Sequence, residues 1–239
     1  MTIGAMILAA GRGERMRPLS DATPKPLLEA GGKPLIVWQI EALARAGLRD
    51  IVINASHLAD RLVGALGDGA TLGVRLVWSV EAEPLETAGG IATASALLPN
   101  GPALIVSGDV WTGFDYASLL PRAAAMARAP GGVRVHLVMV PNPPYHPAGD
   151  FALTDGAIVP DGASRFTYAN IGLYDMALFR ELPRGARLEL LPLFHRWIAA
   201  GIVSGERWDG AWANVGTPDD LAGLDATLRT RSARPGNLR

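Results

Sequence analysis

Cysteine is absent from all 239 residues. Disulfides, thiolate metal sites and cysteine nucleophiles are therefore excluded outright. Histidine is scarce, and His57, His136, His146 and His195 are scattered at no metal-ligand spacing, so each reads as an ordinary surface or core residue. Lysine is scarcer still: only Lys25 and Lys33 stand among 22 basic residues, both near the start of the chain. Neither sign of charge dominates, and a net charge of −1 leaves no global basic field to draw in nucleic acid. Any anion site must be local. The opening residues are apolar but lack the charged start and cleavage site of a signal peptide, and they reach glycine and arginine too early to cross a membrane. The expectation is a cytoplasmic protein, a monomer or small homo-oligomer, with small-molecule partners and neither nucleic acid nor membrane.

What is present is a chain 49% hydrophobic and 19% charged, long enough to bury the core of one large α/β domain. Ile3 to Leu8 is a continuous apolar run, as expected of a strand buried on both faces of a parallel sheet. Helix-like LIVWQIEALARAG follows, ending at Gly47, and then strand-like DIVINAS, helix-like HLADRLVGALG, strand-like GVRLVWSV, helix-like TAGGIATASALL and strand-like PALIVSGDV. This alternation predicts crossover units on a mostly parallel, Rossmann-like mixed sheet flanked by helices. Val133 to Val140 is a further apolar run. Beyond it, proline and glycine clusters surround FALTDGAIV and RFTYANIGLYD, which read as a small antiparallel subregion laid over one side of the sheet. Leu188 to Ala200 reads as helix, Ile202 to Trp208 as strand, and Asp219 to Leu228 as a closing helix. A single domain over 1–230 is expected, with 229–239 as a frayed tail.

The first strand runs directly into AAGRGERMRPLSDATPKPL. A glycine-rich turn at the carboxyl end of the first strand is where open α/β sheets bind phosphates, because glycine lets backbone N–H groups approach an anion. Two familiar loops are ruled out by spelling. A dinucleotide fingerprint needs a third glycine where Met16 stands, and a P-loop needs a GK[ST] triplet that occurs nowhere in the chain. What remains is a loop carrying Arg12, Arg15 and Arg17, then Lys25 between Pro24 and Pro26. Arginine offers a planar fork to phosphate oxygens, and lysine a compact charge that can follow a moving phosphoryl group. The flanking prolines limit the entropy lost when Lys25 is fixed.

The stretch AAGRGERMRPLSDATPKPLLEAGGKPLI resembles the signature of the sugar-1-phosphate nucleotidyltransferases, and EPLETAGG, SGDVW and WANVGTP extend the likeness over most of the chain. Within that family, the short length and these spellings are most similar to the bacterial N-acetylmuramate-1-phosphate uridylyltransferases of peptidoglycan recycling. The resemblance implies a transferase that joins a sugar-1-phosphate to a nucleoside triphosphate, UTP in the nearest group, and releases pyrophosphate. It implies a nucleotide-binding half over 1–140 and a sugar-binding half over 141–228. Thymidylyl, guanylyl or adenylyl transfer to a hexose-1-phosphate, and a non-catalytic nucleotide-sugar sensor, stay open beside it.

Asp109 ends the run PALIVSGD, and a carboxylate at the carboxyl end of a buried strand either caps a turn or faces a ligand. The resemblance gives it to Mg²⁺, an ion that takes oxygen ligands and keeps several waters. It also implies a second carboxylate where this chain has Asn214, an oxygen ligand without charge. Carried over residue by residue, Arg15, Lys25 and Asp109 are the catalytic group, and Ala10, Gly11, Gly13, Glu83, Thr87 and Gly89 join Arg15 and Lys25 in nucleotide binding. Trp111, Asp150, Asn170 and Glu189 fall on the sugar side, where hydroxyl groups suit planar polar groups and aromatic faces.

Overall fold

The computed structural model describes residues 2–129 and 131–232. Among these residues, nine strands form one sheet: β1 (Gly4–Leu8), β2 (Asp50–Ala55), β3 (Arg75–Val80), β4 (Pro102–Ser107), β5 (Val135–Val140), β6 (Phe151–Thr154), β7 (Ala157–Val159), β8 (Arg165–Asp175) and β9 (Val203–Arg207). Their order across the sheet is β3-β2-β1-β4-β8-β5-β9-β7-β6. The first four are mutually parallel, and β8 enters antiparallel to both β4 and β5. Alternation along the central strands supplies both faces with core. Ala5 and Ile7 of β1 and Leu104 and Val106 of β4 face one hydrophobic cluster, whereas Met6, Ala103 and Ile105 face the other.

The helices that cover these faces are α1 (Leu35–Arg45), α2 (Ala59–Leu66), α3 (Glu86–Ala94), α4 (Leu120–Arg128), α5 (Leu191–Ala199) and α6 (Pro218–Ser232). All but α4 lie where apolar periodicity puts them. No described helix is long and apolar enough to cross a membrane. Arg229 to Ser232, expected in the tail, form the last turn of α6 instead. Arg229 pairs with Asp225 at 2.7 Å, and the Arg231 guanidinium lies 5.1 Å from the centre of the Trp111 ring. The rest of the expected tail lies outside the described residues.

The antiparallel segments require a correction. They do not lie over the sheet but extend it, because β8 is too long to end where β4 ends. Its C-terminal part pairs with β4 from Ile171 opposite Val106 to Asp175 opposite Pro102. Its N-terminal part overhangs β4 and would expose unpaired backbone groups. There β6 takes over, with Arg165 opposite Ala152 and Phe166 opposite Phe151. The ladder to β5 slips between Tyr168 and Gly172, and Asn170 sits in that slip with a left-handed φ of 57°. The sheet therefore forks just past the carboxyl end of β4.

His136, fully buried on β5, belongs to the core as expected. It bonds Ser204 at 2.7 Å and approaches Glu206 at 3.4 Å, both on β9, and burial pushes its ring below its ordinary titration range.

Candidate active site

Two adjoining clefts open at the carboxyl ends of the parallel strands, the position where sheets of this kind bind ligands. The larger, about 930 Å³, is lined by the glycine-rich turn, by 83–87 and by Asp109. In the turn, Gly13 takes a left-handed φ of 63°, and a Cβ there would sit 3.1 Å from the Cβ of Lys25. Ser20 donates to the Gly13 carbonyl at 2.8 Å, and the Met16 N–H bonds the same carbonyl at 2.9 Å. Met16, standing where a dinucleotide loop would have glycine, is buried with Leu28, Leu35 and Val215 and anchors the turn to the core. Gly11 has open space around its would-be Cβ, so the fold does not require glycine there and its backbone is left accessible.

Arg12 and Arg15 line this cleft, and Arg15 also lines the second one, its guanidinium 3.4 Å from a Cβ built on Gly216. Arg17 turns away and pairs with Asp21 on the exposed surface at 3.1 Å. Lys25 rises from a single helical turn, only 12% of its side chain exposed, and donates to the carboxylate of Asp109. Asp109 follows β4 and is braced by the Val215 N–H, which donates to its carbonyl at 3.0 Å. The short strand Trp212–Asn214 pairs antiparallel with Val110–Thr112 and places Asn214 opposite Val110, next to Asp109. The Asn214 Oδ1 is buried and has no hydrogen-bond partner among the described residues.

Ala10, Glu83 and Thr87 line the larger cleft. Gly89 does not. It is buried against the 186–188 segment, where the Ala88 and Gly89 N–H groups donate to the Leu188 carbonyl at 3.0 and 3.1 Å and a Cβ on Gly89 would lie 2.2 Å from the Ala186 carbonyl oxygen. Its glycine serves helix packing rather than approach to a nucleobase. Sequence reasoning missed Asn54 and Glu81 in the same cleft. Asn54 accepts from the Ala9 N–H at 2.9 Å and donates to Glu81 at 2.7 Å, and Glu81 accepts from the Leu85 N–H at 3.0 Å. This chain of bonds ties the glycine-rich turn to the 83–87 loop. Burial pushes the Glu81 carboxyl above its ordinary range, against the opposing pull of those two donors. The apolar spelling DIVINAS signals only a strand, so nothing in it marks Asn54.

The second cleft, about 540 Å³, occupies the fork of the sheet. Asp150, Asn170 and Glu189 line it. One Asp150 oxygen accepts from the Tyr168 N–H at 2.7 Å and the other from His146 at 3.1 Å. Trp111 is elsewhere: it is 8% exposed, packed edge-on to Trp38 at 6.4 Å in the cluster under α6. Its ring is taken up by Trp38 and Arg231, and Trp212, Tyr145 and Phe194 line the second cleft instead.

The model of the nucleotidyl transferase family matches residues 4–231 of this chain. The chain belongs to the nucleotidyl transferase family. As a nucleotidyl transferase it is 44% identical to the N-acetylmuramate alpha-1-phosphate uridylyltransferase of Neisseria meningitidis serogroup B, over 89% of this chain and 93% of that one. It is 34% identical to the protein of the same name from Caulobacter vibrioides, over 94% and 96% of the two chains. Among solved structures, a putative glucose-1-phosphate thymidylyltransferase from Bacillus anthracis, in complex with a sucrose, superposes with a TM-score of 0.83 at 21% identity. That match covers 100% of this chain and 98% of the other, and places the forked sheet within the transferase fold.

Proposed function

We propose that this nucleotidyl transferase joins UTP to N-acetylmuramate 1-phosphate, giving UDP-N-acetylmuramate and pyrophosphate, with Mg²⁺ as its ion. The observation that carries the reading is the 44% identity to a uridylyltransferase of that sugar along nearly the full length of both chains. The shape of the site supports it. A cleft carrying the phosphate turn adjoins one lined by polar and aromatic groups, and Arg15, Glu86 and Thr87 line both. A nucleotide and a sugar phosphate held in the two would meet there.

A phosphate oxygen of the sugar-1-phosphate attacks the α-phosphorus, and pyrophosphate leaves. That nucleophile is already anionic, so no general base is needed and catalysis reduces to positioning and charge neutralisation. The amides of Gly11 and Gly13 with Arg15 hold the β- and γ-phosphates, and Lys25 serves the α-phosphate and the incoming oxygen. Arg12 is a secondary phosphate contact. The donor set at the end of β4 suits Mg²⁺: a carboxylate on Asp109 and, beside it, a buried amide oxygen on Asn214 that no donor among the described residues satisfies. Bound there, the ion would neutralise phosphate charge. Lys25 and Asp109 neutralise one another in this structure, and bound phosphates would supply the lysine with an anionic partner in place of the aspartate. One chain carries every group named, and a UTP-consuming reaction fits a cytoplasmic protein.

Pyrophosphate release measured for the four ribonucleoside triphosphates and dTTP against a panel of sugar-1-phosphates tests the reading. UTP with N-acetylmuramate 1-phosphate should give the highest kcat/KM. A different preferred pair, or no pyrophosphate with any pair, overturns it.

A further inference from the structure

N-acetylmuramate differs from N-acetylglucosamine by a lactyl ether on O3, which ends in a carboxylate that is anionic at neutral pH. The sugar-side cleft is a poor place for an anion at first sight, because Glu86, Asp150 and Glu189 all line it. Only two of the described residues that line it can carry positive charge, Arg15 and His146. Arg15 also lines the nucleotide cleft, where it belongs to the phosphates. That leaves His146.

The histidine is held in place. Its N–H donates to the Pro143 carbonyl at 2.9 Å and its own carbonyl accepts from Gly149 at 3.2 Å, closing the turn that carries it. Arg165 fastens the end of the turn, donating to the carbonyls of Gly149 and Asp150 at 3.3 and 2.6 Å. The ring nitrogen Nε2 lies 3.1 Å from Asp150, and a carboxylate can only accept, so Nε2 carries the proton. Nδ1 has no partner among the described residues, and the ring is 38% exposed on the cleft wall.

We propose that His146, oriented by Asp150, recognises the lactyl carboxylate and so selects the anionic sugar over its neutral parent. Protonated at both nitrogens, the ring gives one N–H to Asp150 and the other to the substrate carboxylate as a charge-assisted hydrogen bond. Asp150 is then a positioning residue, its two oxygens committed to Tyr168 and His146 and not to sugar hydroxyls. The proposal rests on the N-acetylmuramate reading above and names the residue that would enforce it.

The test compares kcat/KM for N-acetylmuramate 1-phosphate and N-acetylglucosamine 1-phosphate, with UTP saturating, in wild type, His146→Gln and His146→Arg. The ratio of the two should fall by about tenfold to a hundredfold in His146→Gln, the range of a charge-assisted hydrogen bond. His146→Arg, which keeps a cation, should retain most of the ratio. A ratio unchanged in His146→Gln, or equal loss on both sugars in both variants, overturns the proposal. A wild type with no preference for the carboxylate-bearing sugar overturns the functional reading itself, and the proposal with it.

Discussion

Lys25 and Asn214 are the two residues on which the proposed chemistry turns. Lys25 is brought almost out of solvent by the proline-bracketed turn and meets the carboxylate of Asp109, so its stem is positioned before any substrate arrives. Lys25→Met should lower kcat/KM by roughly a hundredfold or more, or about 2.7 kcal/mol, with the far-ultraviolet circular dichroism unchanged. Turnover near that of the wild type would remove the lysine from the mechanism. Asn214 is the point at which this chain departs from a two-carboxylate site, and its unsatisfied buried oxygen is what a neutral ligand would offer a cation. Asn214→Asp adds a charge to the same position. The half-saturating Mg²⁺ concentration should drop by roughly 3- to 30-fold, as expected for one added charge–charge attraction at an effective dielectric near 20. Asp109→Asn should abolish activity by taking away the only carboxylate of the pair. A magnesium titration of the three proteins reads all of this, and identical curves for wild type and Asn214→Asp would put the ion elsewhere.

At the level of elements, most strands and helices were legible because each shows its own periodicity: GAMIL is apolar throughout and buried on both faces, and DIVINA and PALIVS follow it. What escaped were features fixed by distant pairing. The ribbon of Val110–Thr112 with Trp212–Asn214 joins residues about a hundred positions apart, and no local pattern reports it. Trp111 was misplaced for the same reason, since an aromatic after the aspartate that ends a buried strand spells the same whether it faces a ligand or a helix. Gly89 was misread because glycine suits both ligand approach and close packing. Its real neighbour, the Ala186 carbonyl oxygen, comes from the segment that carries Glu189 to the second cleft. Gly89→Ala must push that segment away, at about 1 to 3 kcal/mol for an overpacked contact. The melting temperature should fall by several degrees. KM should rise for both substrates, because the displaced segment reaches both clefts, Arg187 lining the one with the glycine-rich turn and Glu189 the other. Unchanged constants would show that the segment does not move.

Across the whole molecule, the two clefts belong to one sheet, and its topology decides whether the proposed nucleotide and sugar halves can exist apart. The chain passes from β1 through β5 before any sugar-side strand is made. Yet β8, made later, inserts between β4 and β5 and pairs with both. Without it, two buried strands would face each other across an unfilled gap, each with a row of unpaired backbone groups. The cores are shared in the same way: Ile171 and Leu173 of β8 sit in the cluster with Ala5 and Ile7, and Tyr174 sits with Met6 and Ile105. Residues 203–207 then add to β5 from the other side. A fragment ending at residue 140 should therefore not fold, despite containing every residue assigned to the nucleotide. The intact chain should unfold in one cooperative transition, with tryptophan fluorescence and far-ultraviolet dichroism tracing superimposable denaturant curves. Two separated transitions, or a 1–140 fragment with native-like dichroism and saturable UTP binding, would mean that the nucleotide half holds its structure without β8 and that the fork is an addition to a finished core.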